Sequence, residues 1–171
     1  MRFKPTIYKK NIYNINYDEL KKNNIKCLIF DLDNTLGLIE NIKCPKETKE
    51  LIKKLKKDFT IIICSNNNKK RLIPYMEELG IDGVSYSLKP LTRGLRKIKQ
   101  KYGFKKEEMC MIGDQIVTDI LSGNNYKIMT ILVDPLGIKD LKVTFFNRIV
   151  ENMIIKHYKK KGIFERGKYY E

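Results

Sequence analysis

The feature that most constrains this chain is a set of short, unbroken apolar runs, each followed by polar residues able to do chemistry. Lys26 to Phe30 ends at Asp31, Phe59 to Cys64 ends at Ser65, and Met109 to Ile112 is followed by Gly113-Asp114. A strand with one wet face alternates apolar and polar residues, whereas an unalternating run is buried on both faces, as in a parallel sheet covered by helices. Val84 to Leu88 and Ile128 to Val133 read as two further strands.

Between these runs the apolar period changes to that of helices. Pro45 can open a helix whose Leu51, Ile52 and Leu55 share one face. Leu72, Ile73, Met76 and Leu79 repeat at helical spacing up to Gly80, with Pro74 implying a late start or a kink. Thr92 can cap a basic helix that stops near Gly103, and Gln115 to Ser122 suits a short helix. Asn16 with Glu19 three positions on predicts a helix near residues 17 to 23, after an irregular start. Phe145, Phe146, Ile149, Val150, Met153 and Ile154 mark a final amphipathic helix. Alternating strand and helix predict an α/β fold with right-handed crossovers, whose ligands bind beyond the strands' carboxyl ends.

With 171 residues and no Pro/Gly/Ser-rich linker, the expectation is a single domain over 1–171. It has a core at about 25–150, an amino-terminal extension over 1–24, and a carboxyl-terminal helix and tail from about 144. Cys27, Cys44, Cys64 and Cys110 have no metal spacing and read as reduced core thiols. No apolar run approaches the length of a membrane span, and Met1-Arg2-Phe3-Lys4-Pro5 offers no secretory core, so the expected location is cytoplasmic.

The polar residues at the strand ends form an ordered set: Asp31 and Asp33, then Ser65 and Asn66, then Lys89, then Asp114 and Asp119. Phosphoryl transfer needs an in-line nucleophile, positive charge on the phosphoryl oxygens and a proton for the leaving group. Asp31 is placed to attack phosphorus and form an aspartyl-phosphate that water then cleaves. Residues two apart on an extended segment point the same way, so Asp33 can act in the same cavity as general acid and then base. Asp31 and Asp114 offer the carboxylate pair that Mg2+ prefers. Lys89 adds a fixed charge, and the Ser65 hydroxyl and Asn66 backbone amide can donate to phosphoryl oxygens.

Asp31-Leu32-Asp33-Asn34-Thr35-Leu36, Ser65-Asn66-Asn67, Lys89-Pro90 and Gly113-Asp114-Gln115 through Thr118-Asp119 resemble, in order, the four motifs of the haloacid dehalogenase-like hydrolases. The likeness covers about residues 25 to 150 and is greatest to the IIIA-type phosphatases, a branch that includes phosphatidylglycerophosphate phosphatases. It implies Asp31 as nucleophile, Asp33 as general acid/base, Ser65 and Lys89 as phosphate ligands, and Asp114 with the Asp33 main-chain carbonyl as magnesium ligands. Asp119 matches the second acidic position of the fourth motif, as a metal ligand or as a residue that orients its neighbours. Thr35 is expected to orient the loop. The resemblance also implies a Rossmann-like, five-stranded parallel sheet in the order 5-4-1-2-3; for Asp31, Ser65 and Asp114 to converge, strands 2 and 4 must flank strand 1.

The intervals from Asp31 to Ser65 and from Ser65 to Lys89 hold a loop, a helix and a strand but no inserted cap domain, so the site should be open. An open site admits a phosphate carried by something large, and the resemblance favours phosphatidylglycerophosphate at an anionic membrane surface. Lys and Arg number 35 against 20 acidic residues, a net charge of +15 that attracts polyanions of any kind. Lys156, Lys159, Lys160 and Lys161 suit a bilayer-lying helix, but a helix packed on the sheet is the simpler expectation, and His157 reads as a surface residue. The alternatives are a basic RNA- or ribosome-binding protein on the same scaffold and a nucleic-acid-end phosphatase. Oligomeric state is not encoded in any motif.

Overall fold

The computed structural model describes residues 1–137 and 142–171, and for 142–146 the backbone alone. Phe145 and Phe146, expected on the buried face of the last helix, therefore lie outside the described side chains. Six parallel strands form one sheet: β1 (Ile7–Lys9), β2 (Cys27–Phe30), β3 (Thr60–Cys64), β4 (Asp82–Val84), β5 (Met109–Gly113) and β6 (Met129–Val133), in the order β1-β6-β5-β2-β3-β4. The connections carry α1 (Tyr17–Lys22), α2 (Lys46–Leu55), α3 (Lys69–Leu79), α4 (Arg93–Tyr102) and α5 (Leu121–Tyr126), and α6 (Lys142–Lys160) follows the last strand. This is an α/β Rossmann-like fold.

The five-stranded sheet expected from the sequence is corrected to six. The added strand, β1, lies at the edge beside β6 in a segment read as irregular. It is only three residues long and is held from far away: Tyr8 exchanges backbone hydrogen bonds of 3.0 Å with Tyr170. A second correction concerns the strand read at Val84 to Leu88, which is instead Asp82–Val84. Tyr86 and Leu88 have φ of +47° and +58°, a left-handed backbone that cannot extend a ladder.

The unalternating runs have the predicted cause. Leu28, Phe30, Ile61, Ile63 and Ile112 point to one face and pack with Leu20, Ile52, Leu55, Leu72 and Tyr75 of α1, α2 and α3. Cys27, Ile29, Ile62, Cys64, Met109 and Met111 point to the other and meet Leu95 and Ile98 of α4. Period two is intact, but both faces are apolar. Asn16 caps α1 by accepting from the Glu19 N–H at 3.2 Å. Pro74 neither delays nor ends α3, which starts at Lys69 behind the Asn68 cap and stops at Gly80, whose φ of +59° suits a residue without a side chain. Thr92 stands at the start of α4 but gives it no side-chain cap.

Of the stripe expected on α6, Ile149 and Met153 are exposed. The helix instead buries Glu151 and packs Ile155 and Tyr158 against Tyr8, Ile116, Leu132 and Phe164. All four cysteines are free and buried, and burial pushes the Cys27 and Cys44 thiols up to about 12 and that of Cys64 to about 11. No helix among the described residues is long and apolar enough to cross a membrane.

Candidate active site

Register places the chemistry. Phe30, the last residue of β2, pairs with Ile63 of β3 on one side and Ile112 of β5 on the other. Asp31 therefore lies opposite Cys64 and Gly113, with Ser65 and Asp114 each one residue further along at the same carboxyl end, and the Asp31 N–H donates to the Ile112 carbonyl at 2.8 Å. Carboxylate oxygens of Asp31, Asp114 and Asp119 all lie within 4.8 Å of one another, and all three residues are buried.

Lys89 closes this cluster. Its ammonium, itself buried, donates to Asp31 Oδ1 at 2.6 Å, Asp119 Oδ1 at 2.6 Å and the Cys64 carbonyl at 2.7 Å. Asn66, offered by sequence for its backbone amide, uses its side chain to fix the Lys89 loop. Its Oδ1 accepts from the Lys89 N–H at 2.7 Å and the Ser87 hydroxyl at 2.8 Å, and its amide donates to the Lys89 carbonyl at 2.9 Å. The Ser65 hydroxyl accepts from the Asn67 N–H at 3.2 Å.

Asp114 is gripped from two sides. The Thr35 hydroxyl donates to Oδ1 at 3.2 Å, and Arg148 of α6 donates to Oδ2 and, at 3.1 Å, to the Asp114 carbonyl. Glu151 orients that arginine through a 2.8 Å contact and accepts the Ile116 N–H at 2.6 Å. Asp119 comes from the π-helical turn Ile116–Ile120 and accepts from the Gln115 N–H at 3.1 Å.

Asp33 faces a separate set of donors. Arg71, in the first turn of α3, reaches Asp33 Oδ1 through Nε at 3.0 Å and Nη2 at 2.7 Å, while the Asn67 amide donates to Oδ2. The same guanidinium donates to the Asn41 carbonyl at 2.6 Å and the Leu38 carbonyl at 3.2 Å, so the loop after β2 is fastened to α3.

Negative charge crowds this cluster: Lys89 is shared by Asp31 and Asp119, and Arg148 by Asp114 and Glu151. Burial pushes the Asp31 carboxyl up to about 8, against Lys89 and with help from Asp119 and Asp114. Burial likewise raises Asp114 to about 7, against Arg148 and with Asp119. Burial alone would lower the Lys89 ammonium, but Asp119 and Asp31 outweigh it and hold it above its ordinary value.

Sequence reasoning missed Arg71 and Arg148. Both belong to a small set of arginines in a chain whose default cation is lysine, and a planar fork is what a carboxylate needs for several directed hydrogen bonds. That scarcity was the available signal.

Gly113 shows how tightly the cluster is built. A Cβ there would stand 2.2 Å from Asp119 Oδ2 and 2.7 Å from Asp119 Cβ, so no rotation of the carboxylate makes room. Gly113→Ala is expected to destabilise the fold by about 1–3 kcal/mol by overpacking. Denaturant unfolding checks this, and an unchanged midpoint would contradict it.

The family profile described as haloacid dehalogenase-like hydrolase matches residues 37–127. The chain is 37% identical over 161 residues to probable phosphatase YqeG of Bacillus subtilis (strain 168), covering 94% of each. It is 25% identical over 170 residues to phosphatidylglycerophosphate phosphatase 1, chloroplastic/mitochondrial, of Arabidopsis thaliana, covering 93% of this chain and 49% of that protein. Among solved structures, the cobalt-bound deoxy-D-mannose-octulosonate 8-phosphate phosphatase (YrbI) of Haemophilus influenzae shares the fold. Its TM-score is 0.51 at 19% identity, over 84% of this chain and 95% of that one.

Proposed function

The chain belongs to the haloacid dehalogenase-like hydrolases, and on that premise we propose that it is a magnesium-dependent phosphate monoester hydrolase with Asp31 as nucleophile. The observation that carries this reading is the buried cluster of Asp31, Asp114 and Asp119 around Lys89 at the carboxyl ends of β2 and β5.

The donor set fits a small divalent cation: hard oxygens only, with more negative than positive charge among them. Asp31, Asp114 and the Asp33 carbonyl would hold Mg2+, with Asp119 either a further ligand or a residue that orients Lys89 and the Gln115 loop. Bound there, the ion supplies positive charge that keeps Asp31 ionised and offsets the charge of the phosphoryl group.

The chain's own residues do the rest. The Asp31 carboxylate attacks phosphorus, the bond to the leaving oxygen breaks, and Asp33 delivers a proton to that oxygen. Asp33, now a carboxylate, takes a proton from the water that cleaves the aspartyl-phosphate. Lys89 and the Ser65 hydroxyl neutralise and orient the phosphoryl oxygens. As the finer reading, phosphatidylglycerophosphate is the favoured substrate, supported by the Arabidopsis relative and by an interval between β2 and β3, and between β3 and β4, that holds one helix each.

Phosphate release from an aryl phosphate and from phosphatidylglycerophosphate, with magnesium or a chelator, is the direct test. Magnesium-dependent release supports the reading; none from either substrate ends it.

The raised carboxyls give a second test. Unfolding returns Asp31 from about 8 to its ordinary 3.8, so the folded state holds a proton that the unfolded chain releases. The associated stability is full below about pH 4 and is lost as pH rises through 8. The metal-free protein should therefore melt at a lower temperature at pH 8.5 than at pH 5.5, and magnesium should restore most of the loss at pH 8.5. Equal melting temperatures at both pH values would contradict the raised carboxyls.

A further inference from the structure

Because every strand is parallel, the loops after β2, β3, β4, β5 and β6 all open on the rim that holds Asp31. That rim carries large apolar side chains in water. Ile42 after β2 is 72% exposed, Tyr86 and Leu91 after β4 are 60% and 62% exposed, and Leu88 and Leu136 are exposed as well. They are half of the exposed large hydrophobic residues among the described ones.

Three of them bracket Lys89. Tyr86 and Leu88 also sit in the left-handed region, which is strained for bulky residues, so the loop holds an unfavourable backbone in order to present apolar groups outward. Cations adjoin them: Leu91 shares one surface depression with the exposed Arg93, Arg96 and Lys97, and Lys69 lies with Ser85 and Lys97 in the next.

An exposed apolar patch beside an active site calls for a partner. A second copy of the chain would set +15 against +15. Nucleic acid would answer the cations, but Tyr86 is the one ring in this set on which a base could stack, while Ile42, Leu88, Leu91 and Leu136 are aliphatic and would stay in water. An anionic bilayer answers both features, since aliphatic groups enter the boundary between headgroups and acyl chains while lysine and arginine meet anionic headgroups.

We propose that this rim is an interfacial docking surface, in which Tyr86, Leu88 and Leu91 seat in an anionic bilayer and present a lipid phosphate monoester to Asp31. The proposal rests on the phosphatase reading above and adds the surface through which substrate arrives.

The test is the combined variant Tyr86→Asn, Leu88→Asn, Leu91→Gln. Asparagine tolerates the left-handed backbone, so the loop is kept while its apolar surface is removed. Sedimentation with phosphatidylcholine vesicles containing phosphatidylserine is compared with pure phosphatidylcholine, and phosphate release from vesicle-borne phosphatidate with release from a soluble aryl phosphate. The unaltered protein should bind the anionic vesicles, and the variant should lose about tenfold or more of that binding and of phosphatidate turnover. Its aryl phosphate turnover should be unchanged.

Equal vesicle binding by the two proteins overturns the proposal. So does an equal fall on aryl phosphate and phosphatidate, which would place the loop in the catalytic machinery, and so does loss of RNA binding in place of vesicle binding. If neither protein releases phosphate from aryl phosphate or from any lipid phosphate, the phosphatase reading fails and vesicle sedimentation alone decides the docking surface.

Discussion

Asp31→Asn is expected to lower phosphate release by at least about 10^4-fold, as removal of a covalent nucleophile does in other enzymes. The same substitution should raise the melting temperature of the metal-free protein. Asparagine keeps the shape of the side chain but removes a charge that its surroundings disfavour, as the rise of its carboxyl to about 8 records. Lys89 then serves one carboxylate, Asp119, in place of two. Lys89 keeps Asp119 Oδ1 and the Cys64 carbonyl, at 2.6 and 2.7 Å, so its ammonium is not stranded. At pH 8.5 the gain should be about 1 kcal/mol, or about 2–4 °C for a chain of this size. Opposite movement of activity and stability is the signature of a site built for function. An active variant would reassign the nucleophile. A lower melting temperature would show that the Lys89 pair with Asp31 stabilises the metal-free fold.

What was legible in the sequence divides along the range of the interactions. The runs at β2, β3, β5 and β6 announced themselves because each is apolar on both faces, and Asp31, Ser65 and Asp114 follow them directly. β1 did not, because Ile7-Tyr8-Lys9 is a strand only by virtue of β6 on one side and Tyr170 on the other, the latter from the far end of the chain. β4 was displaced because Asp82-Gly83-Val84 has little strand character of its own and is placed by its pairing with β3.

The same division runs through the site. Motif order marked Asp31, Asp33, Ser65, Asn66, Lys89, Asp114 and Asp119 as candidates, but not which of them touch. Lys89 joins Asp31 to Asp119, whereas Asp33 turns to Arg71 and Asn67. Arg148 reaches Asp114 from a helix that begins after the last strand. Such ion pairs connect positions whose separation carries no periodic signal, so only the assembled fold reveals them.

The arrangement around Asp33 leads to the second large effect. Asp33→Asn should lower turnover of an alkyl phosphate by about 10^3-fold, within the range for a general acid. Its leaving alkoxide is too basic to depart without a proton, so the variant stalls before the aspartyl-phosphate forms. Nitrophenolate departs unaided, and for nitrophenyl phosphate the first step should survive. The second step still lacks a base to deprotonate water. Rapid mixing of the variant with nitrophenyl phosphate should therefore give a burst of about one nitrophenolate per protein molecule, followed by slow release, the kinetic mark of an accumulating covalent intermediate. The alkyl substrate should show no burst. The comparison stays clean because an asparagine at 33 keeps one oxygen to accept from Arg71, while its amide nitrogen, in place of Oδ2, donates to Asn67 once that side-chain amide turns over. Arg71 still fastens the loop after β2 through the Asn41 and Leu38 carbonyls. Equal loss on the two substrates without a burst would move Asp33 from proton transfer to holding the loop, and would direct the search for the acid to another residue.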